Sequence, residues 1–175
     1  MTDTDKEQAK REILELVGRY CERYHKRRSF SEGDRVPYAS RVYDWEEMVN
    51  LVDSALEFWL TSGRYTDLFE KKLSEYLCVK HCSFVNSGSS ANLLAFMALT
   101  SPMLGERAVH PGDEVITVAC GFPTTVTPII QYGAIPVFVD VTIPQYNVDT
   151  YQLEKALSEK TKAVMLAHTL GNPFD

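Results

Sequence analysis

At 175 residues the chain has room for one domain with a real core, since a domain of roughly 150 residues removes about two-thirds of its unfolded surface from water; it is too short for a two-domain enzyme with a full catalytic set. Eighteen basic against 24 acidic residues give a formal charge of -6, which offers no general attraction for nucleic acid or an anionic membrane and makes a small-molecule function the better starting point. The charged first residues contain no signal-peptide core, no stretch approaches the roughly 20 apolar residues of a membrane span, and Cys21, Cys78, Cys82 and Cys120 lack CxxC spacing, so the expectation is a cytoplasmic protein with reduced thiols.

Between about Asp5 and Arg28, the residues Ile13, Val17, Tyr20 and Tyr24 recur at helical spacing among charges and predict an amphipathic helix. Its basic end, His25 to Arg28, reads as a solvated terminus at the negative end of the helix dipole rather than a recognition patch. Gly33 and Pro37 interrupt the periodicity from Ser29 to Tyr43, which marks an extended linker. Residues 1–40 are thus expected to be an N-terminal helix and linker, and 41–175 the main domain.

Asp44 then starts a helix, with Glu47 as capping-box partner and Val49, Val52, Leu56 and Leu60 as its buried stripe; Gly63 ends it. A further helix from about Thr66 to Leu77 is expected to bury Phe69, Leu73 and Leu77. Beyond it, strand and helix patterns alternate, as right-handed crossover units on a mostly parallel sheet require. The predicted strands are 82–85, 114–118, 135–139 and 163–167, and the helices between them 90–99, 124–132 and 150–158. Gly133 stands where a helix C-cap belongs, and Pro111-Gly112-Asp113 is a turn.

Chemistry concentrates where strands end. The strand 82–85 runs into Asn86-Ser-Gly-Ser-Ser-Ala91 and then an apolar helix, which aims free backbone N–H groups and a positive helix end outward. Gly88 permits close approach, and the hydroxyls of Ser87, Ser89 and Ser90 add donors. Taken alone, this segment reads equally well as a plain helix cap. Its place at the carboxyl end of a parallel strand, where ligands of such sheets collect, favours a phosphate site.

At the next strand end, Gly121 loosens the backbone and Pro123 holds Phe122 just before a helix. An aromatic at a strand end is ordinarily core, but beside a phosphate it offers a stacking face for a flat ring. Asp140 and the turn from His168 to Pro173 occupy the remaining strand ends, and each reads as structural when judged alone. GxGxxG after a strand, GxxxxGK[ST] and HExxH are absent, so the dinucleotide, P-loop and zincin readings lack support.

Four segments occur in order: Asn86 to Ala91, Val115 to Thr125, Gly133 to Asp140 and Thr161 to His168. Together they resemble the DegT/DnrJ/EryC1/StrS family of sugar aminotransferases and dehydratases over about Arg41 to Asp175. That resemblance implies an α/β fold, the three-layer, mostly parallel sheet of the PLP-dependent transferase (aspartate aminotransferase type I) large domain, here incomplete. Thr61 to Tyr65, Gly121 to Thr125 and Ala167 to Phe174 are similar to the branch that removes the C3 hydroxyl of CDP-4-keto-6-deoxy-D-glucose in dideoxysugar and lipopolysaccharide pathways.

By resemblance, Gly88, Ser89 and Ser90 hold the phosphate of pyridoxal phosphate or pyridoxamine phosphate, and Phe122 stacks on its ring. The substrate implied is a nucleotide sugar, and the partners implied are a second copy in a homodimer and an NADH-dependent reductase. Three family features find no match here: the acidic partner of the pyridine nitrogen, the position that is lysine in aminotransferases and histidine in the dehydrase, and the cysteines of the dehydrase's iron-sulfur cluster. No catalytic residue and no metal ligand is therefore assigned. The expectation is a fragment or truncated product with little turnover, the other readings being an aminotransferase of the same family or a non-catalytic phosphate-binding module.

Overall fold

The computed structural model describes residues 3–26, 29–37 and 41–175. The chain divides into two compact units, Met1–Ser83 and Phe84–Asp175, each with its own internal packing.

The first unit holds three helices: α1 (Asp3–Tyr24), α2 (Trp45–Ala55) and α3 (Arg64–Tyr76). The contact face of α1 differs from the expected stripe. Gly18 and Cys21 are buried and Val17 half-buried, whereas Ile13, Tyr20 and Tyr24 are exposed. α2 packs against this face of α1: a Cβ on Gly18 would meet the Trp45 ring at 3.5 Å and Val49 at 3.8 Å, so no side chain longer than alanine has room there. Arg27, Arg28 and residues 38–40 of the predicted linker lie outside the described residues. The rest of that linker is non-helical, with a turn in which Asp34 N donates to Ser31 O at 3.0 Å.

The predicted capping box opens α2: Asp44 Oδ1 accepts from Glu46 N at 2.9 Å and Glu47 Oε2 accepts from Asp44 N at 2.7 Å. Val49, Val52 and Leu56 are half-buried, but Leu60 falls beyond the helix and is 85% exposed. Phe69 and Leu77 of the expected α3 face are likewise exposed, and only Leu73 is half-buried. What ties this unit is a polar cluster. Asp53 on α2 pairs with Lys10 of α1 and Arg64 of α3, accepts from the Tyr65 hydroxyl at 2.6 Å, and Arg64 also pairs with Glu57. Burial alone would raise the Asp53 carboxyl, but Lys10, Tyr65 and Arg64 hold it well below the usual carboxylate range.

The second unit contains α4 (Gly88–Leu99), β1 (Glu114–Val118), α5 (Pro123–Tyr132), β2 (Ile135–Val139), α6 (Thr150–Ala156) and β3 (Thr161–Val164). All three strands are parallel, in the order β2-β1-β3, with Ile116 opposite both Val137 and Val164. The central β1 is buried on both faces. Val115 joins Phe96, Val109, Ile129 and Ala134 in one core cluster, while Ile116 and Val118 join Val139 and Val148 in another. Gly133 caps α5 in the left-handed conformation at φ 87°. The α/β fold with a parallel sheet is thus as the sequence implied.

One predicted strand is absent. Residues 82–85 belong to no ladder, because a strand exists only through a paired neighbour and the three-stranded sheet gives this segment none. Predicted strand 163–167 begins earlier and is assigned only to Val164, although Met165 N still donates to Ile116 O at 2.9 Å. Among the described residues, no helix is long and apolar enough to cross a membrane, and no three His, Cys, Asp or Glu side chains group as a metal site. All four cysteines are free thiols.

Candidate cofactor site

Ser87 is the N-cap of α4. Its extended backbone turns the chain into the helix, its Oγ accepts from Ser90 N at 3.2 Å, and its carbonyl accepts from Ala91 N at 3.0 Å. Two of the four first-turn amides are thereby satisfied. Those of Gly88 and Ser89 have no acceptor within the helix, as the geometry of any helix start dictates, and both residues are exposed. The Ser90 hydroxyl is also engaged, donating to Asn86 Oδ1 at 2.7 Å, while Ser87 Oγ donates to Ser90 Oγ at 3.2 Å. Of the predicted serine donors, Ser87 and Ser90 are thus bonded within the cap, and Ser89 stands outside this hydrogen-bonded set.

Phe122 occupies the equivalent place on the next helix. It is the N-cap residue of α5 with Pro123 directly after it, and its ring is 68% exposed rather than packed into the core. A Cβ built on Gly88 or on Gly121 would meet nothing within 4 Å, so the space before both loops is open. The two helix starts are joined: Asn92 Nδ2 donates to Thr124 Oγ1 at 3.4 Å, and α4 packs along α5 through the edge-on contact of Phe96 with Tyr132. The motifs did not single out Asn92 or Thr124, since neither carries a signal until the two helices are side by side.

The other strand-end residues take structural roles. Asp140 Oδ1 accepts from Val141 N at 2.8 Å and shapes the loop after β2. His168 Nδ1 accepts from Phe174 N at 3.3 Å.

The arrangement meets the needs of a phosphorylated, flat cofactor on its own terms. Two exposed first-turn amides with no acceptor within the helix and the positive end of a twelve-residue helix suit a phosphate dianion, and the exposed ring at the start of α5 suits a planar heterocycle.

The profile of the DegT/DnrJ/EryC1/StrS aminotransferase family matches residues 43–175. The chain is 54% identical over 165 residues to the lipopolysaccharide biosynthesis protein RfbH of Salmonella typhimurium, covering 94% of this chain and 38% of that protein. It is 50% identical over 133 residues to a dTDP-4-dehydro-2,6-dideoxy-D-glucose 3-dehydratase of Saccharopolyspora spinosa, covering 76% of this chain and 29% of the relative. Among solved structures, a GDP-4-keto-6-deoxymannose-3-dehydratase with a trapped PLP-glutamate geminal diamine superposes with TM-score 0.64 and 33% identity, over 74% of this chain and 33% of the other. The chain spans well under half the length of these relatives. On the extent of the profile match and these identities, the chain belongs to the DegT/DnrJ/EryC1/StrS aminotransferase family.

Proposed function

We propose that residues 41–175 are the front part of the cofactor-binding large domain of a pyridoxamine-phosphate-dependent sugar-nucleotide 3-dehydrase acting on CDP-4-keto-6-deoxy-D-glucose in dideoxysugar and lipopolysaccharide biosynthesis. The observation that carries this reading is the pair of exposed amides at Gly88 and Ser89, without an acceptor in their own helix, on an element tied to the start of α5 at Phe122 by the Asn92–Thr124 bond. The dehydratases among the relatives support the reaction class.

In this reading Gly88 N, Ser89 N and the Ser89 hydroxyl bind the phosphate, and Ser90 keeps the turn in shape through Ser87 and Asn86. Phe122 covers one face of the ring and keeps water from it. The cofactor, when bound, supplies the electron sink that lets a hydroxyl leave next to a carbonyl carbon. No residue among the 175 is assigned to move the proton or to pair with the pyridine nitrogen. The proposal therefore gives the isolated polypeptide cofactor affinity but little turnover. The same cradle would serve an aminotransferase, which the family also contains.

Pyridoxal phosphate titrated into the purified chain, followed by backbone amide NMR, tests the proposal. The expected result is a shift of Gly88 and Ser89 together with broadening or shift of the Phe122 ring. A response to inorganic phosphate alone, with Phe122 unmoved, would reduce the chain to a phosphate-binding module; no response at either place would overturn the cofactor reading.

A further inference from the structure

The buried side of α1 is made by Gly18 and Cys21, yet the largest apolar side chains of the helix lie off that side. Ile13, Leu16, Tyr20 and Tyr24 follow one another at three- and four-residue spacing and so share a face, and all are exposed, Leu16 by 61%. The Tyr20 and Tyr24 ring centroids stand 5.0 Å apart at one end of this stripe. Leu16 and Tyr20 also border an open cleft of about 1280 Å³ with Tyr43, Trp45 and Met48, so the apolar surface runs on from α1 toward α2.

Charge beside the stripe is sorted by sign. Asp5, Glu12 and Arg19 recur at every seventh residue, and Arg23 follows one turn later, so the four lie along the same edge of the helix, acidic toward its start and basic toward its end. All four are exposed. Gln8 Nε2 donates to Glu12 Oε1 at 3.2 Å and holds that carboxylate along the helix.

This order decides how a second copy can lie on the stripe. Two parallel copies would set Glu12 beside Glu12 and Arg19 beside Arg19, which repel. Two antiparallel copies related by a twofold axis at Leu16 set Leu16 against Leu16, Ile13 against Tyr20 and Ala9 against Tyr24, while Glu12 of each runs alongside Arg19 of the other. The stripe is complementary to its own reversed copy in both spacing and charge.

We propose that this face of α1 docks a second copy of the chain, the two α1 helices running antiparallel about a twofold axis at Leu16. The inference is independent of the cofactor reading, since α1 lies ahead of residues 43–175, which the family profile matches. One pair of 22-residue helices makes a small interface, so the dimer belongs to the weak, concentration-dependent class.

Sedimentation equilibrium of the 175-residue chain at low salt, from about 1 μM to about 1 mM, tests this. The expected result is a monomer passing to a dimer with no larger species. Glu12→Lys or Arg19→Glu brings like charges together at both symmetric contacts, and each should weaken association about tenfold. The double variant exchanges the two signs and should restore the parental dimer, and an equimolar mixture of the single variants should form a heterodimer as readily as the parent forms its homodimer. Leu16→Glu should leave a monomer whose circular dichroism and urea midpoint match the parent, because the side chain it replaces is exposed. A chain monomeric at every concentration overturns the inference, as does a double variant that associates no better than the single ones. A dimer indifferent to these substitutions would also overturn it and would move self-association to another exposed surface, such as the Phe58-Trp59-Leu60 turn.

Discussion

Asn92 Nδ2 donates to Thr124 Oγ1 across 3.4 Å, and through that bond the second turn of α4 is tied to the first turn of α5. In the proposed reading the phosphate cradle belongs to the first helix and the stacking ring to the start of the second, so this half-buried contact, with the Phe96–Tyr132 packing behind it, sets their relative placement. Thr124→Val keeps the side-chain shape and removes the acceptor. Loss of the bond should cost about 1 kcal/mol in urea unfolding. The binding result should be asymmetric: pyridoxal phosphate, which needs both loops, should bind more weakly, whereas inorganic phosphate, which needs only α4, should bind as before. Calorimetric titration of both ligands into both proteins measures this.

The cap of α4 offers a test of opposite signs. Ser87→Ala removes the Oγ that accepts from Ser90 N and should destabilise the chain by about 1 kcal/mol. Ser89→Asp adds a carboxylate at the positive end of the helix and should stabilise it by about 0.5 kcal/mol through the dipole. The same substitution should abolish phosphate and pyridoxal phosphate binding, because the new charge repels the anion the cradle would hold. A more stable chain with no ligand affinity is the expected pair of results. A destabilised Ser89→Asp protein that still binds phosphate would contradict the assignment.

Features set by three or four neighbouring residues were legible in the sequence. The Asp44–Glu47 capping box, the left-handed Gly133 and the β1 and β2 strands all formed where local pattern put them. Features that need a distant partner were not. Residues 82–85 have strand-like composition but no strand to pair with in the sheet, and Leu60, Phe69 and Leu77 have helical spacing but stay exposed. The contact face of α1 was misplaced for a different reason: large apolar residues were sought, while close helix approach used Gly18. At the site, the first turn of α4 at Gly88, Ser89 and Ser90 and the N-cap of α5 at Phe122 were legible as helix starts, whereas the Asn92–Thr124 link appears only after the helices pack.

Acidification should weaken the first unit through Asp53. Its carboxyl is held below the usual range by Lys10, Tyr65 and Arg64, against the opposing effect of burial. A group whose folded pKa is depressed stabilises the fold fully above its unfolded value, roughly pH 4, and loses that contribution as pH falls further toward the folded value. Urea midpoints followed by circular dichroism should therefore decline below about pH 4. Asp53→Asn should lower stability at pH 7, where Lys10 and Arg64 lose their shared partner, and should flatten the acid decline. An unchanged acid slope in that variant would remove Asp53 from the account.

Gly18 sets how closely α1 and α2 approach, and two substitutions there should move stability in opposite directions. A Cβ at this position would lie 3.5 Å from Trp45 and 3.8 Å from Val49, both ordinary contact distances. Gly18→Ala should therefore fit, and should stabilise by about 0.5–1 kcal/mol because alanine gives up less backbone freedom inside a helix. Gly18→Leu adds atoms where the Trp45 ring already sits, and overpacking of this kind costs about 1–3 kcal/mol. The loss should appear as a lower unfolding midpoint together with a shifted Trp45 fluorescence, since the ring is displaced from its seat on α1. If Gly18→Leu unfolds at the parent midpoint with unaltered emission, α1 does not rest on α2 through this glycine.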